Sequence, residues 1–210
     1  MPRGPVIGPL VAAAFAIEES REPELKKMGV KDSKLLPEAT REKLYKILVK
    51  EEHVIVERSA AEITTAMEKR VSLNELEAQM MAEALTRLCG ARHFKKVYID
   101  SPDAVPGKFE RRLRKYYDHH QDYTCENKAD VKYLSVGAAS ILAKVTRDTR
   151  IEEIKREVHY DFGTGYSHDE RTIKFLKEHH KDPGLQKYLR HRWETIKRLK
   201  TTQIDLGDYL

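Results

Sequence analysis

The chain has 210 residues, 35% of them charged, and a formal net charge of only +5 at pH 7, which predicts one domain of ordinary size, with or without a helical appendage. Charged residues end the apolar run at residues 10–17, so neither a membrane span nor a signal peptide is expected. Cys89 and Cys125 lack CxxC spacing, which argues against a disulfide scaffold or a cysteine-based zinc site and favours the reducing cytoplasm.

Predicted strands and helices alternate in the first half of the chain. Apolar or alternating runs predict strands at residues 11–17 and 54–57. The stretch between them, residues 37–50, has the spacing of a helix. Ser72 followed by Glu75 is a capping-box pattern, which predicts a helix to about Leu88 that ends at Gly90.

Two aspartates stand where folds commonly place chemistry. Asp100 directly follows a short apolar run at residues 95–99 that predicts a buried strand, and Asp130 opens a long helical stretch rich in small residues. Carboxylates in these two places can converge on a hard divalent cation, as two-metal phosphodiester cleavage requires. Each aspartate also has a local explanation, since Asp is common at the start of a turn and at a helix cap. Both interpretations remain open at this level.

A polar turn before residues 37–50 carries a hydroxyl and two ammonium groups, on Ser33, Lys31 and Lys34. Such a turn predicts a phosphate-binding site, and a solvated turn is the equal alternative. The phosphate-loop, dinucleotide, GxSxG and HExxH patterns do not occur in the sequence, so nucleotide hydrolysis, dinucleotide binding and zinc-protease chemistry lack support.

The last quarter of the chain has features that suit a nucleic acid. Glycines 163 and 165 let a backbone approach a ligand, and the Tyr166 ring can stack on a sugar or base, although a packed tyrosine on a helix-breaking loop gives the same pattern. Two helices are predicted at residues 169–180 and 185–200. From Leu185 to Thr202, six basic residues oppose one acidic residue, a net +5 that predicts a surface for a polyanion or a solvated helix face.

Taken together and in this order, the segments resemble ribonuclease HII in its archaeal form. The matching segments are RGPVIGPLV at 3–11, GVKDSKLL at 29–36, SLNELEAQ at 72–79, VYIDSPD at 97–103, NKADVKYLSVGAASILAKVTRD at 127–148, GTGYSHDERT at 163–172 and RW at 192–193. The resemblance implies an α/β ribonuclease H-like fold, a mixed five-stranded sheet flanked by helices. It also implies a catalytic core at residues 1–157 and a helical substrate-binding region at residues 158–210.

The resemblance implies an endonuclease that cuts the RNA strand of RNA/DNA hybrids and nicks duplex DNA 5′ of an embedded ribonucleotide, using Mg²⁺ or Mn²⁺ at four carboxylates. Asp100 and Asp130 match the third and fourth of them, as catalytic residues and metal ligands. Arg3 and Gly4 match a segment whose backbone reads the ribose 2′-hydroxyl, and Tyr166 matches a tyrosine that stacks on the following sugar. The expected substrate-binding set is completed by Lys31, Ser33, Lys34 and Lys144.

The sequence departs from the family pattern at its start. Asp-Glu-Ala-Gly and a short apolar strand should precede Arg-Gly-Pro, whereas these residues begin Met1-Pro2-Arg3. Three explanations are open: the protein has further residues upstream, it is a truncated form that binds hybrids without cutting them, or another carboxylate, Asp103 or Asp32, substitutes. As written, the chain is expected to have reduced activity and a destabilised sheet, and a fragment with no stable fold is a further hypothesis.

The expected partners are RNA/DNA hybrid duplexes and DNA that contains ribonucleotides, with no membrane. The protein is expected to be a cytoplasmic monomer. A sliding clamp is a conceivable partner, but residues 201–210 carry no clear clamp-binding motif.

Overall fold

The computed structural model describes residues 4–30, 36–90, 94–117 and 122–204, and their contacts divide the chain into two compact units. Unit 1 is built from residues 1–10, 58–72 and 147–210, and unit 2 from residues 11–57 and 73–146. This division reflects packing, whereas the expected boundary after residue 157 separates two functions. That functional boundary therefore stays a prediction.

Strands and helices alternate along the chain, which confirms the predicted α/β class. The strands are β1 Leu10–Phe15, β2 His53–Arg58, β3 Val97–Asp100 and β4 Tyr123–Glu126. The helices are α1 Glu22–Lys27, α2 Glu38–Leu48, α3 Ala60–Glu68, α4 Leu73–Cys89, α5 Pro106–Leu113, α6 Ala129–Lys132, α7 Leu134–Val158, α8 Glu170–His179 and α9 Glu194–Ile204. Short 3-10 turns lie at Glu19–Arg21 and Pro183–Tyr188.

The described strands form two pairs instead of one five-stranded sheet. β1 pairs with β2, and β3 pairs in parallel with β4, so that Asp100 lies opposite Glu126. Asp100 and Glu126 thus end neighbouring strands at the same sheet edge.

Unit 2 is held together by two hydrophobic clusters. In the first, the fully buried Ala138 and Leu142 of α7 share a cluster with Leu48 of α2 and Phe15 of β1. The small side chain of Ala138 lets α7 pack closely at this point. In the second cluster, Ile99 of β3 packs with apolar residues of α4 and α5. The inward face of β3 is thereby fixed.

Unit 1 is organised around the start of the chain. Val6 and Ile7 are fully buried, and Ile7 forms an isolated antiparallel bridge with Leu189. Helix α3 packs on the 3-10 turn Pro183–Tyr188. Residues far apart in sequence therefore build this unit.

The structure adds one helix to those predicted and corrects two others. Helix α3 was not predicted, although Ser59 and Glu62 form a complete capping box at its start. The long helix expected from Asp130 is interrupted at Tyr133, whose extended backbone (φ −114°, ψ 120°) separates α6 from α7. The helix expected at residues 185–200 is a 3-10 turn followed by α9, because the backbone at Leu189 is extended.

The predicted start of α4 is confirmed, and Glu75 in its first turn also forms tertiary contacts. Its carboxylate accepts hydrogen bonds from Arg112 and the Tyr116 hydroxyl, both at 2.8 Å. These contacts join α4 to the region of α5. A local helix signal in the sequence therefore coincides with a tertiary contact.

Both cysteines are free, as the sequence predicted. Burial raises the pKa of the Cys125 thiol to about 11. Within the part of the chain that the structure describes, no helix is both long enough and apolar enough to cross a membrane.

Substitutions at two neighbouring residues of α2 test how much the hydrophobic cluster around Leu48 contributes to stability. Leu48 is fully buried and Ile47 is 44% exposed. We expect Leu48→Ala to lower the free energy of unfolding by about 2–5 kcal/mol, because it leaves a cavity. Ile47→Ala, which removes a similar volume from the surface, should cost less than about 1 kcal/mol. Chemical denaturation of both variants measures the difference, and equal losses would contradict the described packing.

Candidate active site

Asp100 is oriented by a helix that begins next to it in space. Val97 and Ile99 are buried on one face of β3, so Asp100 lies on the opposite face. Its Oδ1 accepts a hydrogen bond of 2.9 Å from the backbone N–H of Ala129, the first residue of α6. The first N–H groups of a helix have no partner within the helix, so a carboxylate fits there. The Asp100 side chain is thereby fixed beside Asp130.

Asp130 lies in the first turn of α6 and is only 5% exposed. It does not cap this helix: the N-cap is Lys128, in the left-handed region (φ 59°), with no side-chain cap. The described residues form no hydrogen bond or ion pair with its carboxylate. Removing a charged carboxylate from water is costly unless an opposite charge compensates. Asp130 is thus in a setting that favours a bound cation.

Asp100 and Asp130 together supply the oxygen ligands that Mg²⁺ and Mn²⁺ prefer. No group of three or more His, Cys, Asp or Glu side chains that could hold a metal occurs among the described residues. The two aspartates fit a divalent ion only as part of a larger ligand set, and their role as two of the four expected carboxylates stays a prediction.

Two other carboxylates lie nearby but have partners. Asp103, weighed as a substitute ligand, accepts hydrogen bonds from Asn74 and Arg112. Glu126, which ends β4 opposite Asp100, is bound by Lys132 and by the Tyr133 hydroxyl. The hydrogen bond from Lys132 holds the pKa of Glu126 below its usual range, so this carboxylate stays charged. Glu126 was not predicted, and only the strand register reveals its place beside Asp100.

The segment from Gly4 to Pro9 is held through its backbone carbonyls. Arg190, fully buried, donates from Nε to Gly8 O at 3.0 Å and from Nη2 to Pro9 O at 2.6 Å. Trp193 Nε1 donates to Gly4 O at 3.4 Å. Gly4 has φ +103°, a conformation that favours glycine. The predicted reader of the 2′-hydroxyl is thus fixed by residues near the other end of the chain.

The loop with Tyr166 is bonded to the same segment. Gly165 O accepts hydrogen bonds from Val6 N at 2.7 Å and Ile7 N at 3.2 Å. A Cβ on Gly165 would lie 3.0 Å from Ile7 O. Gly165, which the sequence predicted to allow close approach of a ligand, instead allows close approach of the backbone at Ile7. The structure brings the Gly4 segment and the Tyr166 loop into one assembly.

Arg147 packs against one face of the Tyr166 ring, a contact that the sequence did not predict. Its guanidinium lies 4.6 Å from the centre of the Tyr166 ring, and its side chain is nearly buried. Nη2 donates to Thr164 O at 2.5 Å, and Nη1 pairs with Asp148 at 2.9 Å. Helical spacing does not predict the contacts to Thr164 and Tyr166, because both residues lie on a loop beyond the end of α7.

The basic stretch near the C-terminus is less available to a polyanion than its charge suggests. Arg190 is buried, Lys187 pairs with Glu157, and Arg198 pairs with Glu194. The exposed remainder of the six basic residues is Arg192, Lys197 and Lys200. Three of the six basic residues are thus buried or paired with a carboxylate.

The predicted site residues fall into three groups. Unit 2 contains Asp100, Asp130 and Lys144, the last half-buried on α7. Unit 1 contains Gly4 and Tyr166. The predicted residues that lie outside the described part of the chain are Arg3, Lys31, Ser33 and Lys34, together with the alternative ligand Asp32.

Comparison with known proteins assigns the family. The family model for ribonuclease HII matches residues 2–196. Ribonuclease HII of Pyrococcus abyssi is 40% identical over 215 aligned positions, which cover 99% of this chain and 93% of that protein.

Two solved structures are similar over nearly their whole length. The crystal structure of ribonuclease H2 from Pyrococcus horikoshii OT3 has a TM-score of 0.81 and 36% identity, with 96% of this chain and 94% of that chain covered. Ribonuclease HII of Archaeoglobus fulgidus, in a structure of its complex with PCNA, has a TM-score of 0.78 and 36% identity, covering 94% and 92%. The chain thus has the ribonuclease H-like fold and belongs to the ribonuclease HII family of type 2 ribonuclease H endonucleases.

Proposed function

We propose that this protein cleaves the RNA strand of RNA/DNA hybrids and nicks duplex DNA on the 5′ side of an embedded ribonucleotide, leaving 3′-hydroxyl and 5′-phosphate ends. The observation that carries the proposal is the pair of aspartates, one held by the Ala129 N–H and the other nearly buried beside it. Family membership supplies the reaction class, hydrolysis of a phosphodiester in RNA.

Asp100 and Asp130 would hold Mg²⁺ or Mn²⁺, since both ions prefer carboxylate oxygens as ligands. When bound, the ion supplies an activated water and stabilises charge on the leaving oxygen. The protein contributes orientation through the Ala129 N–H and a nearly buried position for Asp130, where little water screens its attraction for a cation. The two carboxylates that the family pattern places before Arg3 are not among these residues, so activity is tested on the 210-residue chain and on a version engineered to carry Asp-Glu-Ala-Gly before Arg3.

Recognition of a ribonucleotide is assigned to unit 1. Only the 2′-hydroxyl distinguishes RNA from DNA at a given nucleotide, and a rigid backbone close to the ribose detects it. Gly4 offers such a backbone, since its carbonyl is held by Trp193. The Tyr166 ring is half-buried, with Arg147 under one face, which leaves its remaining surface for a sugar.

A second candidate function is hybrid binding without cleavage. The observation that favours it is the distribution of the site residues: Gly4 and Tyr166 lie in a unit that does not contain Asp100 or Asp130. The features assigned to binding are thus built independently of the metal ligands, and binding could persist where cleavage is lost.

A nicking assay separates the two functions. With Mn²⁺ and a DNA duplex that contains one ribonucleotide, we expect a nick on its 5′ side, and more activity from the version that carries the added Asp-Glu-Ala-Gly segment. Asp100→Asn and Asp130→Asn should each lower cleavage by at least about 100-fold, since even partners of metal ligands contribute 10- to 100-fold. Binding of the hybrid should remain.

Asp122→Asn is the matched control, because Asp122 is an exposed aspartate just before β4, at the end of the strand pair away from Asp100. It should cleave like the unaltered protein. Binding without a cut by either form of the chain would establish the second function. If neither form binds or cleaves the substrate, both functions are excluded.

The contact between Arg147 and Tyr166 gives another prediction. Arg147→Lys should lower kcat/KM about tenfold or more, because lysine lacks the planar fork that reaches Thr164 O and Asp148 while lying under the ring. Combined with Tyr166→Ala, the losses should be non-additive by about 1 kcal/mol or more, as expected for residues in direct contact.

Arg150→Lys is the control for this cycle, since Arg150 lies on the same helix and pairs with the exposed Glu153. Its effect should be small and additive with Tyr166→Ala. Additive losses for Arg147→Lys, or an equal loss with Arg150→Lys, would show that Arg147 does not position Tyr166.

A further inference from the structure

A groove next to Tyr166 is not used in the function proposed above. Its volume is about 340 Å³. The side chains that line it are Ser167, His168, Glu170, Ile173, Lys174 and Lys177. The His168 ring lies 5.1 Å from the Tyr166 ring, so the groove begins where the tyrosine ends.

The charge of the groove is predominantly positive. Lys174 and Lys177 are both exposed and lie three residues apart on α8, which places them on one side of the helix. The described residues form no ion pair with either lysine, whereas Arg171 on the same helix pairs with Asp161. Glu170 is the one acidic side chain in the lining, against two ammonium groups.

The polar groups in the groove suit a phosphodiester backbone. Side chains three apart on a helix have Cβ atoms about 5–6 Å apart, and flexible lysine stems let their ammonium groups spread to successive phosphates. The Ser167 hydroxyl and the His168 ring add hydrogen-bonding groups on the Tyr166 side. Hydroxyl and ammonium groups of this kind contact phosphates without reading bases.

We propose that this groove binds the sugar–phosphate backbone of the nucleic acid strand as it continues beyond Tyr166, on the 3′ side of the ribonucleotide. The direction of the strand rests on the proposed function, because it assumes that Tyr166 stacks on the sugar after the ribonucleotide. The groove itself would contribute affinity that depends on neither base sequence nor the 2′-hydroxyl.

The test is the salt dependence of binding by the double variant Lys174→Ala/Lys177→Ala. Affinity is measured by fluorescence anisotropy in EDTA, with a labelled duplex that contains one ribonucleotide and with the all-DNA duplex of the same sequence. Loss of one phosphate contact lowers the slope of log K against log salt concentration by about one, so the double variant should lose about two on both duplexes.

The double variant Lys43→Ala/Lys46→Ala is the matched control. Lys43 and Lys46 are exposed, lie three apart on α2 and carry the same charge, but they belong to unit 2. Their removal should leave the slope unchanged. A second control is a duplex that ends at the nucleotide assigned to Tyr166, which the unaltered protein and the groove variant should bind equally.

The outcomes separate the groove from the proposed function. If the unaltered protein binds and cuts but the groove variant keeps its slope, the groove is not a backbone site and the proposed function stands. If both double variants lose equal slope, the effect is one of net charge, and the groove inference is overturned. If the unaltered protein binds neither duplex, the proposed function fails, and the groove inference fails with it.

Discussion

The hydrogen bond from the Ala129 N–H to Asp100 is the contact on which the candidate metal site depends. It joins the carboxyl end of β3 to the start of α6, and it places Asp130 one residue away. A helix of only four residues has little stability of its own, so the hydrogen bond to Asp100 at the end of β3 helps to hold α6 in place. The same contact removes the need for Asp130 to cap its helix, and leaves that carboxylate for a cation.

In unit 1, contacts from distant residues hold the backbone of the segment from Gly4 to Pro9 in place. The segment from Gly4 to Pro9 is fixed by Gly165 O, by the buried Arg190 and by the indole of Trp193. Positive φ at Gly4 and Gly165 lets these backbones approach where a side chain would interfere. A backbone segment that recognises a 2′-hydroxyl needs these contacts, because Gly4 has no side chain that could fix its position.

Local signals in the sequence predicted most elements, and tertiary contacts account for the differences. The start of α4 follows from its capping pattern, and Asp100 follows from the apolar run before it. The interruption at Tyr133 was not predictable from spacing, because its ring stacks on Tyr98 of β3 at 3.9 Å and its hydroxyl binds Glu126. Likewise, the place of Glu126 requires the register of β3 and β4. The capping box of α3 is a local signal of the same kind, at Ser59 and Glu62.

Arginine and lysine have separate uses in this chain, and this changes what its net charge of +5 means. Arg147 and Arg190 are nearly buried and donate to backbone carbonyls, so their charge shapes the loops instead of attracting a polyanion. The planar guanidinium suits this role because several N–H groups leave it in fixed directions. Lys174 and Lys177 remain in water, where a mobile ammonium group can follow a phosphate. The charges that attract a nucleic acid are thus better identified by their exposure and lack of partners than by counting basic residues along the sequence.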